Sequence, residues 1–401
     1  MSILTTDKLS FEESINRKID SEESIVLRYM RSVQFGSNPE EDRKYKDFLK
    51  QTSIREGVRI VSLLNYKGVE IFLMDETSLM HTKTLKSIDG AVSIAHCMLR
   101  GYDRVVFESG GNTGTAFTEY AQRCGLETFL FLPKNNISLL YSKSFEHDKS
   151  HLISVEDVEL VKKGAHLFGN LKGATHIPDA VWRYQASMLR GFFILEYMLQ
   201  NGKFDWITQA ISAAFGPVGF YRVFREFKEE IGGFPRFMGI QQKANCPMYT
   251  AWKSNKKVPE PAKKGYNGQL LTRVMYDAEP YSYGSYDELV KILNDSRGDL
   301  TTIDHTEFGE FLAQDLNGKD ILQPFSDNGI EITLHNGEVV EKTGLIALAG
   351  TLKEIDSGNI PEGSRVLCCL TSGTTRADGL ARPDYVLKDL ESMKREYIKQ
   401  E

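Results

Sequence analysis

Apolar and polar positions fall into short alternating blocks. Arg104, Val105, Val106 and Phe107 form an apolar run that reads as a buried strand. Ser109, Gly110, Gly111, Asn112, Thr113 and Gly114 follow as a glycine-rich turn. The periodic stretch 115–124 reads as a helix that Gly125 ends. A second apolar run, 128–132, stops at Pro133. Strand, turn, helix and strand make one βαβ unit with an expected right-handed crossover.

The same alternation runs along the rest of the chain. Residues 58–64 and 69–74 read as strands about a turn at 66–68, and 88–100 as an amphipathic helix. A helix is expected over 155–163, a loop over 164–180 and a long helix over 184–199. A strand over 206–214 leads into a second glycine-bearing turn, 215–219, then a helix over 220–230 and a strand over 236–241. Residues 252–268 hold five lysines and two prolines and read as a mobile loop. Helices are expected at 287–294, 308–316 and 343–355. The run 365–370 is a buried strand ending in Thr371, Ser372, Gly373, Thr374 and Thr375. The first 55 residues are highly charged and helical in patches, at 22–31 and 40–51. Alternating strands and helices predict an α/β protein with open, mostly parallel sheets flanked by helices.

Composition narrows the classes. A length of 401 residues allows two or three domains, and 41% apolar residues supply a sizeable core. A formal net charge of -6 argues against nucleic-acid and membrane-surface roles, which favour basic faces. The five cysteines, at 97, 124, 246, 368 and 369, fit neither a disulfide framework nor a metal site. The N-terminus has no signal-like apolar core, and no run approaches membrane-spanning length, so a cytoplasmic protein is expected.

Three strand-to-turn segments are the candidates for chemistry: 109–114, 215–219 and 371–375. A helix N-terminus with free N–H groups attracts anions, and ligands of open α/β sheets gather beyond the carboxyl ends of strands. GxGxxG and GxxxxGK[ST] are absent, which weakens dinucleotide and P-loop readings. Lys86 precedes an expected helix. A lysine whose pKa is lowered there could form a Schiff base with an aldehyde cofactor. Lys83 competes with it on pattern alone.

The order glutamate, short turn, lysine, helix, strand, Ser-x-Gly-Asn-Thr, helix, strand, proline resembles the threonine synthase branch of the tryptophan synthase β-like pyridoxal-phosphate enzymes. That branch includes cysteate synthase. The resemblance runs from about Val58 to Thr375 and implies a two-domain fold of type II with pyridoxal 5'-phosphate in the cleft. The smaller, mobile domain would be 88–200, and the larger would join 1–87 to 201–401. Thr84, Leu85 and Lys86 match the branch's Ser-Phe-Lys, which favours Lys86 over Lys83 as the catalytic, cofactor-bearing lysine. Asn112 matches the asparagine on the cofactor 3'-oxygen. Ser109, Gly110, Gly111 and Thr113, with Thr84, would bind the substrate, its carboxylate on the loop. Ala214, Phe215, Gly216, Val218 and Gly219 match the phosphate cradle, and Thr371 or Ser372 the hydroxyl at the pyridine nitrogen.

A neutral hydroxyl there tempers the electron sink and favours elimination or replacement at Cβ or Cγ. The resemblance also implies a homodimer and a small amino-acid substrate, with phosphorylated ones among the candidates. Cysteine-synthase-like β-replacement, serine/threonine dehydration and a catalytically silent binding protein are the alternatives. The chain departs from the branch at 79–83, at Ser87 and Ile88, at Gly110, and at Phe215 and Pro217, where glycines are usual. Four further segments have plausible roles. His81 could handle a proton. Arg183, Tyr184, Gln185 and Ser187 lie where the branch often binds substrate. Lysines 253, 256, 257, 263 and 264 could draw in an anion. Glu341 could orient a hydroxyl near the ring.

Overall fold

The computed structural model describes residues 10–261, 270–276, 279, 284–316, 318–332, 342–372 and 380–398. Two sheets organise them. The larger has six strands in the order Arg59–Tyr66, Val69–Asp75, Arg365–Leu370, Trp206–Ala210, Arg236–Gln242 and Asp299–Ile303. Its first pair is antiparallel, as the tight turn at Lys67 and Gly68 requires, and the other neighbours are parallel. The smaller sheet is parallel throughout, in the order Tyr385–Leu387, Ser150–Val155, Glu127–Pro133, Arg104–Glu108 and Thr175–His176.

Parallel strands are covered on both faces, so their sequences are nearly continuous apolar runs. Arg365–Leu370 shows this: every residue after Arg365 is buried, including Cys368 and Cys369. The Thr343–Asp356 helix lies against that sheet through small residues. A side chain at Gly344 would come within 2.2 Å of Leu370, and one at Gly350 within 2.5 Å of Ile240. On the smaller sheet, the Val161–Lys172 helix packs on Arg104–Glu108 and Glu127–Pro133. The Ala180–Asn201 helix packs along Phe215–Glu226 in the most extensive helix contact of the protein.

Several expected elements shift. Residues 150–155 form a strand, and the helix expected from 155 begins at Val161 and runs to Lys172, through what had read as loop. Gly173, in the left-handed region at φ 63°, ends it. The 206–214 strand stops at Ala210, and 308–316 gives way to the earlier helix His305–Leu312, capped by Asp304. The strands Asp299–Ile303 and Tyr385–Leu387 have no counterpart in the sequence reading. The loop expected over 252–268 begins after the helix Pro247–Lys253, and 262–269 lie outside the described residues. Among the described residues no helix is long and apolar enough to cross a membrane.

Candidate active site

A cavity of about 410 Å³ opens at the carboxyl ends of strands from both sheets. Lys86 is in its wall and is the first residue of the Lys86–Leu99 helix. The segment before it is tied down: Thr84 bridges to Ser372, and Leu85 N–H donates to Thr371 O at 3.0 Å. The Thr84 hydroxyl accepts from Lys86 N–H at 3.1 Å. Thr84 thus positions the lysine from behind and is not among the residues that line the cavity. Lys83 points elsewhere, its Nζ donating to Ser78 O at 3.0 Å.

Lys86 Nζ lies 2.8 Å from Asp89 Oδ2, and Arg183 Nη2 lies 3.5 Å from the same oxygen. Burial lowers the lysine's pKa; Asp89 raises it, and Arg183 and Arg190 lower it again. The net direction is down, which increases the neutral amine needed for nucleophilic or base chemistry.

The Ser109 loop stands opposite. Ser109 Oγ accepts from Gly111 N–H at 3.0 Å and Gly114 N–H at 2.9 Å, which closes the turn. Gly111 has φ 148°, a conformation that favours glycine. Asn112 begins the Asn112–Arg123 helix, and its Nδ2 donates to Ser372 Oγ at 3.0 Å. That bond joins the loop of one sheet to the last strand of the other. Ser109, Gly110, Gly111, Asn112, Thr113, Thr371 and Ser372 all line the cavity.

The second turn lies earlier than expected: it is 211–214, which holds no glycine, and Phe215 already begins the helix that carries Gly216 and Gly219. Ala214 takes φ 55° as the N-cap, so a non-glycine residue occupies the left-handed position. Ala214, Phe215 and Gly216 line the cavity. Val218 is fully buried in the core, and neither it nor Gly219 lines the cavity. Gly219 is a packing glycine: a Cβ there would come within 2.2 Å of the Ser187 Cβ. Pro217 has no N–H to offer.

Arg190, absent from the sequence reading, completes this end. Its side chain is 1% exposed and ion-paired with Glu76, which is 0% exposed. Nε meets Glu76 Oε1 at 2.5 Å, and Nη2 meets Glu76 Oε2 at 2.6 Å and Gln209 Oε1 at 2.9 Å. Its Nη1 is buried with no hydrogen-bond partner among the described residues. A Cβ on Gly216 would sit 2.5 Å from that nitrogen. An orphaned guanidinium nitrogen, a helix N-terminus and a space only glycine leaves open converge here. A phosphate monoester fits that donor set. With Lys86 for an aldehyde, and Asn112 and Ser372 for ring heteroatoms, these residues could hold pyridoxal 5'-phosphate. The one clue to Arg190 in the sequence was a cation within the apolar stretch of a long helix.

The other candidates separate. Arg183 and Ser187 line the cavity, and Arg183 lies 4.3 Å over the Phe215 ring. Tyr184 packs on Phe215, and Gln185 bonds His96 at 2.8 Å. His81 is away from the cavity, paired with Glu119 at 2.9 Å. Lys253 pairs with Asp299 and Lys256 with Glu260, while 263, 264, 341 and 373–375 lie outside the described residues. Glu108, Lys162, His176 and Thr343 also line the cavity, and the sequence reading gave none of them a role. Among the described residues no cluster suited to a metal ion exists.

Comparison with known proteins agrees with this geometry. The family model of the pyridoxal-phosphate dependent enzymes matches residues 50–308. Cysteate synthase of Methanosarcina mazei is 25% identical over 325 residues, covering 77% of this chain and 72% of its own. Threonine synthase of Mycobacterium tuberculosis is 22% identical over 357 residues, covering 86% and 88%. Among solved structures, threonine deaminase isoform 2 from Solanum lycopersicum superposes with a TM-score of 0.60 at 12% identity, covering 85% of this chain and 92% of that one. Maize serine racemase gives 0.58 at 16% identity, covering 92% and 100%. These structural likenesses show the type II fold. With the family match spanning more than half of its length, the chain belongs to the pyridoxal-phosphate dependent enzyme family.

Proposed function

We propose that this enzyme eliminates or replaces a substituent at Cβ or Cγ of a small amino acid, in the manner of threonine synthase-like and cysteate synthase-like enzymes. The observation that carries the reading is the meeting, in one cavity, of Lys86, the 109–113 loop and a neutral hydroxyl, Ser372, where the Arg365–Leu370 strand ends. When bound, pyridoxal 5'-phosphate supplies the ring that withdraws charge from the substrate Cα.

The chain's own groups do the rest. Lys86 removes the proton at Cα and can return it, helped by the burial that lowers its pKa. N–H groups of the 109–113 loop and the Thr113 hydroxyl fix the substrate carboxylate at a helix N-terminus. Ala214, Phe215, Gly216 and Arg190 hold the cofactor phosphate. Asn112 and Ser372, with Thr371 beside it, face the ring. A hydroxyl in place of a carboxylate at the ring nitrogen favours elimination and replacement over transamination. The smaller domain, 88–200 joined by the strand Tyr385–Leu387, closes over the larger and excludes water. The same resemblance supports a homodimer, and cysteines that fit no disulfide framework support a cytoplasmic location.

Absorbance and borohydride trapping test the reading. Protein with added pyridoxal 5'-phosphate should absorb in the visible, and borohydride should fix the label on Lys86. Lys86→Ala should lose both signals, whereas Lys83→Ala should keep them. Serine, threonine, O-acetylserine, phosphoserine and phosphohomoserine should be screened for spectral shifts. A protein that stays colourless with added cofactor would defeat the proposal.

A further inference from the structure

The cavity wall carries a titratable cluster that the chemistry above leaves unused. Glu108 ends the Arg104–Glu108 strand, one residue before the Ser109 loop. The neighbouring strand, Thr175–His176, sets His176 beside Val106. His176 Nε2 lies 2.6 Å from Glu108 Oε2. The His166 ring, from the Val161–Lys172 helix, stacks on His176 with centroids 3.8 Å apart. Lys162, one turn earlier on that helix, lines the cavity, and its Nζ lies 3.8 Å from Glu279.

The protonation pattern follows from these contacts. Burial works to raise the Glu108 pKa, but His176 and Lys162 outweigh it and hold the carboxyl below its usual range. Glu108 is thus a carboxylate that accepts from His176 Nε2–H. Nδ1 of His176 has no hydrogen bond among the described residues. An imidazole backed by a carboxylate is an arrangement suited to general acid–base work.

The wall's chemistry bears on the leaving group. Glu108 and His176 line the same cavity as the 109–113 loop, so a substrate tied there by its carboxylate shares their wall. A hydroxyl would face a proton donor, and it needs one, because hydroxide leaves carbon far less readily than phosphate or acetate. Lys86 is already committed to the α-proton. We infer that His176, held by Glu108, is the acid that protonates a departing hydroxyl, so the substrates are small β-hydroxy amino acids; this rests on the elimination reading above. Lys86 takes the Cα proton, and the electron pair of that C–H bond forms the Cα=Cβ bond. The Cβ–O bond breaks with its pair on oxygen, which takes the His176 proton and departs as water. His176 is left neutral against Glu108 and is reprotonated from solvent.

The test uses holoenzyme with serine or threonine in D₂O. Exchange at Cα is followed by NMR, and 2-oxo acid formation by a coupled dehydrogenase. His176→Gln should lose elimination at least about 100-fold more than it loses α-exchange, as expected for a missing general acid. Elimination from O-acetylserine, whose leaving group needs no proton, should fall far less. Glu108→Gln should lower hydroxyl elimination while α-exchange is kept, and Glu108→Asp should restore part of it; His166, Lys162 and Glu279 are the other charged or titratable groups around the pair and stay unchanged. Cofactor absorbance and thermal unfolding check that each variant is folded and loaded. Absence of α-exchange with every amino acid would defeat the elimination reading and the assignment with it. Exchange with no His176 dependence of hydroxyl loss would overturn the assignment alone. So would turnover of O-phosphoserine and O-acetylserine with serine and threonine left intact.

Discussion

Glu76→Gln tests the buried charge beneath the phosphate end of the cavity. Burial pushes the Glu76 carboxyl up, but the two-pronged contact with Arg190, at 2.5 and 2.6 Å, keeps it a carboxylate. Glutamine keeps the volume and one acceptor and removes the charge. Arg190 cannot deprotonate, so it would remain cationic and buried without its counter-ion. Charges about 4 Å apart attract by about 4 kcal/mol at an effective dielectric constant of about 20. Breaking one side of a buried pair costs about 3–5 kcal/mol, which agrees. At about 2–4 °C per kcal/mol in mid-sized domains, unfolding should fall by on the order of 10 °C. Thermal and denaturant unfolding of cofactor-free protein measure this. Adding pyridoxal 5'-phosphate then provides a second reading. If its phosphate becomes the counter-ion of Arg190, it must stabilise the variant more than the native chain. An unfolding temperature within about 2 °C of the native value, well short of that estimate, would refute the account of Arg190 as a buried cation dependent on Glu76. Equal stabilisation of both proteins would refute its role at the phosphate.

Two further substitutions probe the same cavity. Gly216→Ala places a Cβ 2.5 Å from Arg190 Nη1 and 2.7 Å from Gln209 Nε2. Crowding of this kind costs about 1–3 kcal/mol, so cofactor affinity should fall roughly 5- to 150-fold in a fluorescence titration; an unchanged affinity would remove Gly216 from the cradle. Asp89→Asn removes the carboxylate 2.8 Å from Lys86 Nζ, which favours the charged amine. Without it the ammonium is less stable, the lysine pKa drops further, and the pH midpoint for cofactor attachment moves down; a midpoint that moves up would contradict the ion-pair account.

How much was legible in the sequence depended on whether a residue's role is local. The runs 365–370 and 104–108 announced themselves because strands buried on both faces are apolar throughout. The strand Ser150–Val155 did not, since Ser150, His151 and Ser154 interrupt its run and Val155 joins an apolar pattern leading into the next helix. Glycines misled for one reason. Gly164 and Gly169 made a helix look like a loop, yet a Cβ at the first would meet Leu387 at 2.7 Å and at the second Ala174 O at 2.8 Å. Gly219 was taken for a phosphate glycine and is a helix-contact glycine against Ser187. Sequence shows that a glycine is present; only the packing distinguishes a required turn from a close approach.

The same distinction explains which site residues stood out. Lys86 and the Ser109 loop could be read because each is a short motif whose geometry is made by its immediate neighbours. Arg190 and His176 could not, because each depends on a partner from a remote segment: Glu76 lies 114 residues from Arg190, and Glu108 lies 68 from His176. The Asn112–Ser372 bond spans 260 residues and joins the two sheets directly. The cavity is therefore a property of how the sheets meet. Its lysine and loop are the groups that the proposed chemistry uses, while the long-range pairs on its wall, Arg190–Glu76 and His176–Glu108, set the charges around them. Specificity should accordingly respond most to changes at Glu108, His176 and Arg183, and loss of cofactor to changes at Lys86, Gly216 and Arg190.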